Sequence, residues 1–153
     1  MRVEVDQSGK LERTSIHTAV GISNGLSASV FVSSSEKKLI QRHFRQLGKP
    51  RLFAVLTFSL LVARALALLG RKTLEEVIID REYAGYENFI CEQVRFFCLL
   101  RKIKINDIYV KEVGRKSNSH KTALTAYRNR KQATELKAED IIEELKNKKP
   151  RSA

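Results

Sequence analysis

The sequence predicts an α/β protein with a five-stranded mixed sheet flanked by helices. Short runs of β-branched and other apolar residues alternate with longer segments whose apolar residues recur at helical spacing. The chain has 153 residues, of which 42% are hydrophobic, and this is enough for one domain with a full core. We therefore predict a single domain over residues 1–147 and a flexible basic tail over residues 148–153.

Three strands are predicted at the start of the chain, over residues 2–6, 18–22 and 28–33. Ser8-Gly9 follows the first strand, and Asn24-Gly25 separates the second from the third. Asn-Gly is the preferred pair in two-residue hairpins because both central residues need a positive φ. These signals predict an antiparallel meander of three strands.

Helices alternate with two further strands in the rest of the chain. Ser33–Ser35 offer N-caps to a helix over residues 36–47. A second helix over residues 51–69 is apolar nearly all round and stops at Gly70, which predicts that it is buried. The remaining predicted elements are a strand over 74–80, a helix over 86–101, a strand over 107–113 and a helix from about residue 119 onward, broken near Thr134. Right-handed crossover connections should add the fourth and fifth strands in parallel.

Two carboxylates stand at the ends of apolar runs. Asp6 ends the run Arg2-Val3-Glu4-Val5, and Asp80 ends Val77-Ile78-Ile79. A carboxylate is costly to bury unless a cation neutralises it, and a divalent metal ion is the obvious one if the two strands are neighbours. The structural alternatives are that Asp6 caps the turn that follows it and that Asp80 is an ordinary strand terminus.

The charge of the chain favours a polyanionic partner. Lys and Arg number 29 against 17 Asp and Glu, which gives a net charge of +12. Nucleic acid is expected ahead of an anionic membrane surface or a ribosomal assembly role. Cations are dense over residues 101–131, where the loop 114–118 is the predicted phosphate cradle and a merely solvated face is the alternative. The predicted phosphate contacts are Lys111, Arg115, Lys116 and Lys121.

Two tyrosines follow Asp80 closely. Tyr83 and Tyr86 are predicted to lie at the mouth of the site and to stack on unpaired bases, which every base accepts without sequence preference. Glu82, two residues beyond Asp80, is a candidate for an additional metal ligand.

The cysteines and the apolar segments predict a cytoplasmic protein without membrane contact. Cys91 and Cys98 lie seven residues apart in a predicted helix, about 10 Å along its axis, which is too far for a disulfide. No signal peptide is expected before the first strand. The apolar stretch 52–69 is short for a membrane span and contains Arg64, so a buried helix is expected there. The high share of Lys, Arg, Glu and Ile hints at a thermophilic source.

The predicted order of elements resembles the ribonuclease H fold over nearly the whole chain. In that superfamily the first and fourth strands are neighbours at the sheet centre, and each delivers an acidic metal ligand, as Asp6 and Asp80 would here. The segment Asn118-Ser119-His120-Lys121 resembles the place where the Holliday-junction resolvases put an Asp or His followed by Lys. The resemblance therefore implies His120 as the third residue of the catalytic and metal site. Without the resemblance, His120 is a polar residue at a helix start.

The chain looks similar to the small archaeal ribonuclease H-like exonucleases that digest single-stranded DNA from the 3′ end. This resemblance implies a divalent-metal-dependent exodeoxyribonuclease with two Mg²⁺ or Mn²⁺ ions, catalytic residues Asp6, Asp80 and His120, and Glu82 as a further ligand. Hybrid-cleaving ribonucleases H also use a Glu of the first helix. Glu36 is the nearest match but is predicted to interact with its helix N-terminus.

Two alternatives remain at this point. One is a noncatalytic nucleic-acid-binding or assembly protein of the same fold, and the other is a junction-resolving endonuclease. The sequence leaves open the polarity of cleavage, whether DNA or RNA is the preferred substrate, and whether the protein is a homo-oligomer.

Overall fold

A six-stranded mixed sheet flanked by helices forms the part of the protein that the structure, a computed structural model, describes. That part comprises residues 1–23, 27–113, 117–129 and 133–146. The strands are β1 (Arg2–Ser8), β2 (Thr18–Ser23), β3 (Ser27–Val32), β4 (Thr73–Asp80), β5 (Lys104–Lys111) and β6 (Thr134–Glu135). The helices are α1 (Ser34–Gln46), α2 (Phe53–Ala67), α3 (Glu87–Leu100), α4 (Asn118–Arg128) and α5 (Ala138–Lys146), with a 3₁₀ turn at Pro50–Leu52 before α2.

The strand order in the sheet is β5-β4-β1-β2-β3-β6. Strands β1, β2 and β3 pair antiparallel, and β4 and β5 add in parallel on the other side of β1, as predicted. The carboxyl ends of β1, β4 and β5 therefore lie at one edge of the sheet, and β3 ends at that edge too. The Asn24-Gly25 turn and the 148–153 tail lie outside the described residues.

The predicted count of five strands is wrong, because β6 adds a sixth strand in parallel to β3. This strand has only two residues and is exposed, so neither alternation nor a run of β-branched residues marks it in the sequence. It stands where a break near Thr134 was predicted, and α4 and α5 lie on either side of it.

Helix α2 is the centre of the core. Its residues Phe58, Leu61 and Leu66 are completely buried, as expected for a helix that is apolar nearly all round. The segment Pro50–Ala67 meets the length and composition of a membrane span, but 67% of it is buried inside the protein. Both cysteines are free, and Cys98 is buried beside this core.

Helix α4 covers the opposite face of the sheet, over β1 and β2. Its approach is unusually close at Gly21, where an added Cβ would lie 2.4 Å from the backbone nitrogen of Ala123. Gly21 also pairs with Asp6 across β1 and β2. A residue without a side chain at position 21 therefore lets α4 bring its first turn down to Asp6.

The long loop between β1 and β2 is tied to α1 by a buried lysine. Lys37 is completely buried. Its Nζ donates to the carbonyl oxygens of Lys10 (3.0 Å), Arg13 (2.7 Å) and Ile16 (2.7 Å) and to the hydroxyl of Thr18 (2.9 Å). Although burial lowers the pKa of Lys37 to about 8, these oxygen acceptors suit the protonated amine. The first turn of α1 is thereby fixed beside the loop that follows β1.

Candidate metal centre

Asp6 is a buried carboxylate near the carboxyl end of β1, on the face that α4 covers. One of its oxygens, Oδ1, accepts a hydrogen bond from the backbone N–H of Gln7 at 2.7 Å. The other, Oδ2, lies 2.7 Å from Nδ1 of His120 in the first turn of α4. Both oxygens thus have a partner, which compensates in part for the loss of water.

Asp80 ends β4, the strand next to β1. The register pairs Val5 with Ile79, so the side chains of Asp6 and Asp80 follow side by side on the same face of the sheet. Oδ1 of Asp80 accepts a hydrogen bond from the backbone N–H of Val113, just beyond the end of β5, at 2.8 Å. The ends of three adjacent parallel strands, β1, β4 and β5, therefore position these two carboxylates.

Glu82 completes a triad of acids with Asp6 and Asp80. One oxygen from each of the three side chains lies within 4.8 Å of the others, a spacing that a shared metal ion would suit. Burial, and then the hydrogen bond to Asp80 and the charge of Asp6, raise the pKa of Glu82 to about 8. Burial and the charge of Asp80 also raise the pKa of Asp6. The triad thus favours either a shared proton or a bound cation.

A cleft of about 310 Å³ opens over the triad. His120 and Glu112 line it together with the three acids. Glu112 was not predicted as a site residue, although it directly follows β5, the strand next to β4. Its position at the end of a predicted parallel strand could have indicated Glu112. It was missed because the surrounding segment, residues 101–131, was interpreted as a basic surface.

His120 is held at the cleft by the N-terminus of α4. Ser117 is the N-cap, and its Oγ accepts from the backbone N–H of His120 at 3.1 Å. The His120 ring nitrogen Nδ1 contacts Asp6, and Nε2 makes no hydrogen bond to the residues that the structure describes. His120 therefore lies beside the acids as a partner of Asp6 and is not a member of the triad, and its catalytic and metal-binding role stays a prediction.

The structure describes two of the four cations that were predicted to contact phosphate, Lys111 and Lys121. Lys111 pairs with Asp80 in the register of β4 and β5, and its Nζ lies 5.6 Å from the centre of the Tyr109 ring. Lys121 is exposed in the first turn of α4. Arg115 and Lys116 fall outside the described residues.

The two predicted stacking tyrosines differ in accessibility. The hydroxyl of Tyr83 donates to Oε1 of Gln7 at 3.1 Å, and its ring centre lies 5.4 Å from that of Phe58. Tyr86 is 38% exposed. Since Tyr83 is engaged by the core, Tyr86 is the better placed of the two to stack on a base.

Glu36 does not join the triad. Its carboxylate accepts from the backbone N–H of Ala138 at 2.8 Å, which is the first residue of α5. Glu36 lies in the first turn of its own helix α1, as predicted, and it also accepts from the N-terminus of α5.

No protein-family model, curated protein or solved structure matches this chain. The candidate site therefore rests on the geometry of the chain itself.

Proposed function

We propose that this protein is a divalent-metal-dependent nuclease of the ribonuclease H-like class, and that it digests single-stranded DNA as a 3′–5′ exonuclease by a two-metal mechanism. The observation that carries the proposal is the triad Asp6, Asp80 and Glu82, whose ligand oxygens lie within 4.8 Å of one another. It stands at the carboxyl ends of two adjacent parallel strands in a chain of net charge +12.

The sheet order supports the fold part of the proposal. Strands β1 and β4 are adjacent, and each carries one acid near its carboxyl end, which is the arrangement that the resemblance to the ribonuclease H superfamily implies. Helix α4 then brings His120 to the same edge, where that resemblance implies a third site residue.

The donor set fits Mg²⁺ or Mn²⁺. Carboxylate oxygens are the ligands these hard cations prefer, and Asp6, Asp80 and Glu82 would hold them. When bound, such ions supply an activated water and stabilise charge on the attacking and leaving oxygens of a phosphodiester.

The chain's own residues would orient the substrate. His120 contacts Asp6 through Nδ1, and we expect its Nε2 to contact the scissile phosphate. Lys111 and Lys121 supply positive charge at the end of β5 and the start of α4. The exposed ring of Tyr86 offers a stacking surface for an unpaired base.

A second candidate is a noncatalytic nucleic-acid-binding protein. The observation that favours it is that the acids have other ways to be neutralised. The raised pKa of Glu82, to about 8, keeps its proton on at neutral pH, and His120 contacts Asp6. Such a protein would bind DNA whether or not a metal is present.

Cleavage of a labelled single-stranded oligonucleotide with Mn²⁺ or with EDTA separates the two candidates. We expect Mn²⁺-dependent products with the wild type and none with Asp80→Asn, because the amide removes a metal ligand and keeps the shape. Asp107→Asn is the matched control, since Asp107 is exposed in β5 and lies beside Glu76. Asp80→Asn should bind DNA as the wild type does. Cleavage by Asp80→Asn at the wild-type rate, or no cleavage by the wild type, would contradict the nuclease.

A further inference from the structure

A row of exposed cations runs along the solvent side of α1, away from the acidic triad. Lys38, Arg42 and Arg45 are all exposed and follow one another at spacings of four and three residues, which places them on one helix face. We call these three residues the α1 basic stripe. The opposite face of α1 carries Ile40 and Phe44, which are buried in the core. The stripe therefore lies on the exposed face of the helix, opposite the face that packs in the core.

The α1 basic stripe forms no ion pair in the part of the chain that the structure describes. Like charges at these spacings disfavour a helix, although Arg45 stands in the last turn, where the helix dipole favours a cation. An anionic partner would relieve the repulsion between these three like charges.

The stripe begins at the edge of the sheet that carries the triad. Strands β1 and β3 run in the same direction, so α1 starts at the edge where Asp6 lies. The loop after β1 connects the end of that strand to α1. Nζ of Lys37, in the first turn of α1, donates hydrogen bonds to the carbonyl oxygens of Lys10 and Arg13 in this loop. The side chains of Lys10 and Arg13 are also exposed. Positive charge thus continues from the end of β1 onto the helix.

The stripe suits an extended phosphate backbone better than a membrane. From Lys38 to Arg45 it covers about 10 Å along the helix, with its charges in a line. A membrane-binding helix needs a broad apolar face to insert, and that face of α1 is already buried in the core. A single polynucleotide strand needs only spaced positive charges.

We infer that the α1 basic stripe, with Lys10 and Arg13, binds the phosphate backbone of a single-stranded DNA whose end lies in the acidic cleft. This inference rests on the proposed nuclease, because the stripe is a path to its site. The stripe would hold the part of the strand that lies outside the acidic cleft. A longer strand should therefore bind more tightly than a short one.

The test compares two double variants that each lose two positive charges. Arg42→Ala/Arg45→Ala removes two members of the stripe, and alanine preserves the helix. The control is Arg71→Ala/Lys72→Ala, whose residues are exposed before β4, at the opposite edge of the sheet. Binding to labelled single strands of about 4 and about 16 nucleotides, the range of site sizes in OB-fold single-strand binders, is measured in EDTA over a series of salt concentrations.

For the longer strand we expect the slope of log affinity against log salt to become about 1.4 less steep in the stripe variant, since each lost contact contributes about 0.7. The control should bind like the wild type, and the short strand should bind more weakly than the long one to the wild type. An unchanged slope in the stripe variant, an equal loss in the control, or stripe-dependent binding to phosphatidylserine vesicles but not to DNA would each overturn the inference.

Because the binding assay contains no metal, its result is independent of the cleavage test. Stripe-dependent binding by a protein that never cleaves DNA would support the stripe and contradict the nuclease.

Discussion

At the residue scale, the site brings together three carboxylates whose negative charge is only partly compensated by neighbouring groups. Asp6 has a partner on each oxygen and Asp80 accepts from the backbone of Val113, whereas Glu82 is compensated by a proton. Three carboxylates so close cannot all ionise cheaply without a cation. A bound metal ion would therefore displace that proton, and metal affinity should rise with pH.

This reasoning predicts how the stability of the metal-free protein depends on pH. The pKa of Glu82 is raised from its model-compound value of 4.5 to about 8 in the folded state. Between those two pH values the folded state binds more protons than the unfolded state, so the free energy of unfolding should fall as pH rises. Urea unfolding in EDTA across this window should show the decline, and Glu82→Gln should flatten it, because the amide cannot ionise.

Addition of Mn²⁺ should reverse the decline in the wild type, since the ion replaces the proton. Glu87→Gln is a suitable control, because Glu87 lies at the start of α3 and interacts with Arg81. An equally flat pH profile in the wild type and in Glu82→Gln would show that Glu82 is not the titrating group.

At the element scale, the distance between α4 and the sheet decides whether His120 meets Asp6. That distance depends on Gly21, which pairs with Asp6 and lies against Ala123. A Cβ at position 21 would lie 2.4 Å from the Ala123 nitrogen and 2.8 Å from its Cα. These are backbone atoms, so the whole helix must shift to relieve the contact.

Gly21→Ala should therefore lift α4 and weaken the contact between His120 and Asp6. We expect a loss of about 1–3 kcal/mol in the free energy of unfolding, as for other overpacked cores. The NMR signals of the His120 ring should also shift toward those of a solvated histidine. Gly48→Ala is the control for stability alone, because Gly48 has φ +72 but nothing within 4 Å of an added Cβ. It should lose stability and leave the His120 signals in place. Unchanged His120 signals in Gly21→Ala would mean that the glycine does not set the helix position.

The same elements show what could be predicted from the sequence. Asp6 and Asp80 were found because each ends an apolar run, and period and turn signals locate such strands. Strand β6 was missed because two exposed residues carry no pattern. The role of Gly21 was also missed, since a glycine inside a strand does not reveal which helix approaches it. Long-range packing of this kind depends on residues a hundred positions away.

At the scale of the whole molecule, a cleft lined by acids belongs to a chain of net charge +12. The net charge of +12 would attract a polyanion, while a phosphate could approach the triad only if a cation neutralised the acids. In the proposed nuclease, the net charge favours nucleic acid as the partner, and a bound metal ion would let a phosphate approach the acids. Neither the net charge nor a bound metal distinguishes a single strand from a duplex. We therefore expect that preference to come from base stacking and from the shape of the cleft.

The last prediction concerns this selection. The exposed ring of Tyr86 follows the end of β4 and offers a platform for an unpaired base. Stacking contributes about 1–3 kcal/mol per base, and a paired base gains this only after unstacking at a similar cost. Single strands should therefore be degraded about ten-fold or more faster than the same strand in a blunt duplex, since 1.4 kcal/mol is a factor of ten.

The measurement is the initial rate with Mn²⁺ on a 5′-labelled single strand, its duplex, a four-way junction and an RNA:DNA hybrid. A ladder that shortens from the 3′ end is expected on the single strand. Tyr86→Ala should narrow the difference between strand and duplex, whereas Tyr109→Ala, whose ring is tied to Glu76 and lies under Lys111, should leave it unchanged. Equal rates on single strand and duplex would contradict the stacking argument. Cleavage confined to the junction would instead assign the triad to a resolving endonuclease, because a junction offers its strands at a fixed branch and not at a free end.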